Sequence, residues 1–212
     1  MNRTKIINIL SSKINAKSYL EIGVRMADEN FNKINVKNKI GVDPGIEGFS
    51  EGTHVMTSDE FFKQNSERFD VVFVDGLHEA DQVERDIINS LKFLNPNGYI
   101  ICHDINPLIE ERQLLKHDPR RQLYQKREKE NGNNEYGLWN GDCWKAWVKL
   151  RNTRPDLYMS VVDTDFGCGV ICKGSQEILN ISELDINYAN LVKHRKNWLN
   201  LISVEEFLHV YQ

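Results

Sequence analysis

Six acidic or imidazole side chains stand at or beside the ends of short apolar runs. Asp75 closes DVVFVD and His78 follows three residues later, while His103 and Asp104 close YIICHD. Asp43 closes KIGVD, and Glu21 stands in SYLEI two residues before Gly23. Two carboxylates from neighbouring strand ends with an imidazole make a ligand set for a hard divalent cation, Mg²⁺ or Mn²⁺, from Asp75, His103 and Asp104. The plainer reading makes the acids loop or capping groups and His103 a hydrogen-bonded core histidine, because alternate strand residues face opposite sides. His78 has the chemistry of a general base near neutral pH, and equally that of a cap or an exposed histidine. Asp43 can accept both hydroxyls of a ribose, and Gly23 lets backbone approach a ligand closely. Taken singly, either residue is explained by a turn.

These residues need a scaffold that brings them to one rim. Strands are expected at Ser18–Ile22, Lys39–Asp43, Asp70–Asp75 and Tyr99–Asp104, with a weaker one at Thr53–Met56. The strong runs are apolar throughout rather than alternating, which marks strands covered on both faces of a parallel sheet. Between two of them, Ala80 to Leu94 carries Val83, Ile87, Ile88, Leu91 and Leu94 at helical spacing, and Asn95-Pro96-Asn97-Gly98 stops it. Strand, helix, strand makes a βαβ crossover. Ligands of such open sheets bind at the carboxyl ends of the strands, where the acids stand.

Further helices are expected at Thr4–Ile14 and Asp142–Leu150, and a hairpin at Leu157–Val162 and Gly169–Cys172 around the turn Asp163–Gly167. The polar stretch 105–141 interrupts this rhythm and reads as a functional loop or lid. It carries the basic residues Lys116, Arg120, Arg121, Lys126, Arg127 and Lys129. These offer a contact to an anionic acceptor, although a charge run is more often a solvated helix face. Trp139 and Trp144 offer stacking surfaces, and Trp144 at helical spacing with Trp147 reads rather as core. The tail 182–212 is read as a helical extension, with Ser203 and Glu206 forming a capping box.

The chain has 212 residues, 40% hydrophobic and 27% charged, with a net charge of −4. That suits one domain, 1–212, and is not the strongly basic profile of a nucleic-acid binder. No run approaches the roughly 18 apolar residues of a membrane span. Cys102, Cys143, Cys168 and Cys172 form no C-x-x-C pair; three lie in apolar or aromatic runs and read as buried hydrophobes, which fits a reducing cytoplasm. Tyr188, Trp198, Phe207 and Tyr211 suit either a packed flank or the contact of a homo-oligomer.

The segments YLEIGV, GVDP, TSDEFF, FDVVFVDGLH, LNPNGYIICHD and WNGDCWKAW resemble class I S-adenosylmethionine-dependent methyltransferases. Within these the chain looks most like the metal-dependent O-methyltransferase-like group related to catechol O-methyltransferases and to macrolide and cephalosporin-pathway enzymes. The resemblance covers roughly residues 18–173. It implies an α/β Rossmann-like fold with helices on both faces of a seven-stranded, mostly parallel sheet whose last strand is antiparallel. It carries Glu21 and Gly23 to the methionine end of S-adenosylmethionine, Asp43 to its ribose, and Ser58 and Asp59 to the neighbourhood of its adenine. Asp75 borders the cofactor, Asp75, His103 and Asp104 hold the metal, and His78 is the base. The implied activity is O-methylation of a small-molecule or sugar-type hydroxyl. The first loop departs from the pattern: Val24-Arg25-Met26-Ala27-Asp28-Glu29 brings no second glycine. Two rivals remain, a metal-dependent hydrolase using Asp75, His78, His103 and Asp104, and a catalytically silent binding module.

Overall fold

The computed structural model of the chain describes residues 1–46, 48 and 50–211. The apolar runs become β1 (Ser18–Ile22), β2 (Asn38–Val42), β3 (Phe69–Val74), β4 (Leu94–Cys102), β5 (Leu157–Val162) and β6 (Cys168–Lys173). With a short β7 (Leu201–Ile202) they form a seven-stranded sheet in the order β2-β1-β3-β4-β6-β5-β7. Every pairing is parallel except those of β6, which runs antiparallel to β4 and β5. The reversed strand is thus the second arm of the expected hairpin. The chain's final strand, β7, lies outside it, parallel to β5.

Successive residues of a strand point to opposite faces, and here both faces are covered. Leu20, Ile22, Val72, Val74, Ile100 and Cys102 pack into one core with Phe61, Ile87, Trp144, Trp147 and Leu199. These come from α2 (Ser58–Gln64), α3 (Ala80–Phe93), α5 (Cys143–Thr153) and α6 (Tyr188–Leu199). Tyr19, Val71, Phe73 and Ile101 face a second core with Ile6, Ile7, Leu10, Phe207 and Tyr211, from α1 (Arg3–Lys13) and α7 (Val204–Tyr211). Trp198, Phe207 and Tyr211 are therefore part of a packed flank. The Ser203–Glu206 capping box forms as expected, with Glu206 N–H donating to Ser203 Oγ at 3.1 Å and Ser203 N–H to Glu206 Oε2 at 2.6 Å.

Three local features depart from the expectations. Thr53–Met56 makes no strand; His54 forms one bridge to Val42, because the Thr57–Glu60 capping box starts α2 at once and leaves too few residues for a ladder. Leu94 opens β4 directly after α3, and 95–98 bulges inside the strand, with the register shifting opposite Phe69 and Val71. The insertion 105–141 is not a bare loop. It holds α4 (Pro119–Glu130), capped by Asp118 with proline in its first turn. No apolar stripe announces α4, since the residues it buries are Arg121 and Tyr124. Among the described residues, no helix is long and apolar enough to cross a membrane.

Candidate active site at the carboxyl rim

Strand direction places Gly23, Asp43, Asp75 and Asp104 just past the ends of β1, β2, β3 and β4. β6 is antiparallel to both β4 and β5, so β5 runs in the direction of β4 and the β5–β6 turn reaches the same rim and adds Asp165. Gly23 sits at φ +95°, and a Cβ there would lie 2.1 Å from the carbonyl oxygen of Asp75. Only glycine allows the β1 and β3 loops to touch in this way. Asp104 adopts φ +63°, a left-handed conformation that few non-glycine residues take. Asp165, Phe166 and Gly167 also have positive φ in succession. Backbone held in such regions clusters at functional sites.

The side chains converge on Asp75 and Asp104. His78 Nε2 lies 3.6 Å from Asp75 Oδ1 and 3.5 Å from Asp104 Oδ2. His103 Nδ1 lies 2.8 Å from Asp104 Oδ2 and 3.3 Å from Asp75 Oδ1. On the far side, Arg3 Nη1 is 3.5 Å from Asp165 Oδ1. Three carboxylates therefore face two imidazoles and one guanidinium. Burial would push Asp75 up, but His103 and His78 hold its carboxyl well below the usual carboxylate range. Burial would lower both imidazoles, yet Asp75 and Asp104 raise His78 and raise His103 more strongly. His103 thus stands between the two acids, within hydrogen-bonding distance of Asp104 and close to Asp75.

One donor group within 4.8 Å comprises Asp75, His78 and Asp104; a second comprises His103, Asp165 and Cys168. The first offers two carboxylate oxygens and an imidazole nitrogen, which suits a hard or borderline divalent cation. The second fits a cation poorly. Burial pushes the Cys168 thiol up to about 12, and Asp165 Oδ2 already accepts from the Arg3 backbone N–H at 2.7 Å.

The insertion roofs the site. Trp139 stacks on the His78 ring at 4.8 Å and 23°, and the Arg121 guanidinium lies 4.8 Å above the indole. The indole N–H donates to Leu114 O at 2.8 Å, which fixes that plane. Gly141, at φ +63°, passes so close that a Cβ would stand 2.0 Å from His78 O, and Asp142 Oδ1 accepts from Ala80 N–H at 2.7 Å at the start of α3. The basic run is largely satisfied within the insertion itself. Arg120 pairs with Asp118 at 2.8 Å, Arg127 with Glu128 at 3.1 Å and Lys126 with Glu130 at 4.0 Å. A groove of about 600 Å³ between residues 110–114 and α4 includes none of the rim carboxylates.

The remaining expected cofactor residues are spread along the β1–β2 side. Asp43 is half-buried, its Oδ1 accepting from Gly45 N–H at 2.8 Å. Ser58 is the buried first residue of α2, within 3.2 Å of Gln82 Nε2, and Asp59 pairs with Arg85 at 3.5 Å. Glu21 is buried in a hydrogen-bonded network. Its Oε2 accepts from Tyr19 O–H at 2.5 Å and from Asn30 Nδ2 at 2.9 Å, and Asn30 in turn accepts from Thr4 at 2.7 Å. Burial raises the Glu21 carboxyl to about 7. The folded state then keeps a proton that the unfolded chain loses above its ordinary value of 4.5. Glu21 therefore costs about 3 kcal/mol of stability between acid pH and pH 7, and no more above that. In Glu21→Gln that loss disappears. Thermal melts should show the variant gaining on the wild type as pH rises from 5 to 7.5; a constant difference would show the carboxyl is not held protonated.

Arg3 and Asp165 were not legible as site residues. Arg3 lies far from the rim in sequence, and its approach depends on where α1 docks. Asp165 had a usable signal, since a hairpin turn that follows a strand parallel to the others must open onto the carboxyl rim.

An open α/β sheet of this strand order, with one reversed strand and acids gathered at its carboxyl ends, is the fold of class I S-adenosylmethionine-dependent methyltransferases. Residues 22–105 match a family model described as a methyltransferase domain, in agreement with the resemblance of the motifs. A Klebsiella pneumoniae protein described as an O-methyltransferase is 12% identical with a TM-score of 0.52, the match covering 82% of this chain and 80% of that one. The O-methyltransferase TomG from Streptomyces achromogenes, involved in tomaymycin synthesis and solved with its SAM, is 12% identical with a TM-score of 0.51 over 82% and 80%. Both likenesses speak to the fold. No curated protein sequence matches this chain.

Proposed function

We propose that this protein transfers the methyl group of S-adenosylmethionine to a hydroxyl of a small molecule, with a divalent cation at Asp75 and Asp104. The observation that carries the reading is the meeting of Asp75, His78 and Asp104 beneath Trp139, beside the loop contact that Gly23 permits. S-adenosylmethionine supplies an electrophilic sulfonium methyl, and a Mg²⁺ or Mn²⁺ ion supplies Lewis-acid polarisation of the acceptor oxygen.

The chain's own residues do the rest. Asp75 and Asp104 would hold the cation, while His103, 2.8 Å from Asp104 Oδ2, keeps that carboxylate oriented. His78 takes the acceptor's proton at Nε2, the nitrogen that faces both acids. Trp139 fixes the imidazole plane and excludes water from one face of it, so that donor and acceptor are held in line. Gly23 and Asp43 flank the cofactor's path, with Asp43 at the ribose and Ser58 and Asp59 at the adenine end. Glu21, whose Oε2 is held by Tyr19 and Asn30, would reach the methionyl end of the cofactor through its remaining oxygen.

The acceptor is a neutral or weakly charged hydroxyl compound, because Arg120, Lys126 and Arg127 are paired with acids within the insertion and the rim itself carries carboxylates. Four unpaired cysteines agree with a cytoplasmic setting. The test is incubation with methyl-labelled S-adenosylmethionine and a panel of phenolic, sugar and polyketide alcohols, with Mg²⁺ or with chelator. Label should enter an ether product only with the metal. S-adenosylmethionine left intact across the panel while a phosphoester or amide is hydrolysed would give the site to the hydrolase reading.

A further inference from the structure

Class I folds that bind a zwitterionic cofactor must neutralise its carboxylate, and helix N-termini are ready anion sites. None follows β1 here. Beyond Gly23 the chain makes two three-residue 3₁₀ turns, Ala27–Glu29 and Phe31–Lys33, in place of a helix. Arg25, the nearest cation in that loop, is half exposed and pairs with Glu29 at 3.2 Å. A cation is supplied from another element. Arg3, the first residue of α1, is held against the rim: its N–H donates to Asp165 Oδ2 at 2.7 Å, and Thr164 donates to Met1 O at 2.6 Å.

The Arg3 guanidinium is placed among acids without being consumed by them. Nη1 stands 3.5 Å from Asp165 Oδ1 and 3.3 Å from His103 Nε2, and Nε stands 4.0 Å from Asp75 Oδ2. Close guanidinium–carboxylate hydrogen bonds run at about 2.7–2.9 Å, so these are longer contacts. Nε is buried and has no hydrogen-bond partner. A buried donor without a partner calls for a water, an ion or a ligand, and His78 Nδ1 in the same cluster is in the same condition. Asp75, whose carboxylate Arg3 faces, is the residue whose backbone touches Gly23. Arg3 therefore stands beside the loop contact where the amino-acid end of the cofactor is expected.

We infer that Arg3 binds the α-carboxylate of the cofactor's methionyl end, taking the place of the missing helix N-terminus. The inference rests on the cofactor reading above. A guanidinium suits a carboxylate through its planar, two-pronged donor geometry, which lysine lacks.

The experiment compares two ligands by calorimetry. S-adenosylhomocysteine carries the carboxylate, whereas 5′-methylthioadenosine shares the adenosine and sulfur and lacks it. Arg3→Gln should bind S-adenosylhomocysteine about 10- to 100-fold more weakly than the wild type and methylthioadenosine equally well. Arg3→Lys should fall between. Unchanged S-adenosylhomocysteine binding, or equal weakening for both ligands, overturns the inference while leaving the cofactor reading intact. A wild-type protein that binds neither ligand removes both.

Discussion

Replacing His78 with glutamine is expected to lower kcat by about 10²- to 10⁴-fold, the usual range for a lost general base. The affinity for cofactor should stay within about twofold, because glutamine keeps a donor toward Asp75 and Asp104. The effect is read from initial rates of S-adenosylhomocysteine formation with an acceptor that the wild type turns over. An unchanged kcat would show that His78 only spaces the two acids. A parallel fall in cofactor affinity would show that it organises the rim as a whole.

Gly23→Ala should act on stability and site together. The new methyl carbon would meet backbone, Asp75 O at 2.1 Å and Gly76 Cα at 2.7 Å, from a residue already at φ +95°. Neither atom is the end of a flexible side chain, so the β1 or the β3 loop must move. Left-handed backbone alone costs a non-glycine residue about 1–2 kcal/mol, and the forced shift brings the total to about 3 kcal/mol or more. For a chain of this length that is a fall in Tm of roughly 6–12 °C. The loop that moves carries Asp75, so Mn²⁺ binding should weaken with it. A variant melting within about 2 °C of the wild type would mean the loops part easily and that Gly23 is not what fixes Asp75.

The parts of the fold that could be read early were those governed by short-range pattern. Continuous apolar runs such as DVVFVD and YIICHD require two covered faces, and that requirement fixed a parallel sheet and the rim on which Asp43, Asp75 and Asp104 stand. What stayed hidden depended on long-range packing. α4 buries an arginine and a tyrosine instead of an apolar stripe, so periodicity is silent there. His103 and His78 look interchangeable as imidazoles. Only the folded chain separates them, by placing His103 under the acids at 2.8 Å from Asp104 and His78 beside Trp139. Glu21 carries a structural duty that its motif does not reveal, since its Oε2 accepts from Tyr19 and Asn30. Residues of a shared motif can thus serve the fold in one chain and the ligand in another, which is why the site must be argued from its geometry.

The single-glycine first loop bears on the same point. Without a helix after β1, this chain lacks the backbone cradle that a glycine-rich loop normally leads into. On the proposed reading, cofactor affinity comes from side chains, Asp43 on the ribose side and Arg3 on the other. A catalytically silent module would be expected to lose those side chains' purpose first.

The central claim is that the rim binds S-adenosylmethionine, and calorimetric titration tests it directly. The purified protein would be titrated with S-adenosylmethionine, with and without Mg²⁺, beside Asp43→Ala. The account predicts micromolar binding by the wild type and at least about a tenfold loss in the variant, the loss expected when a charged hydrogen-bonding partner is removed. No binding under either condition would contradict the methyltransferase reading as a whole.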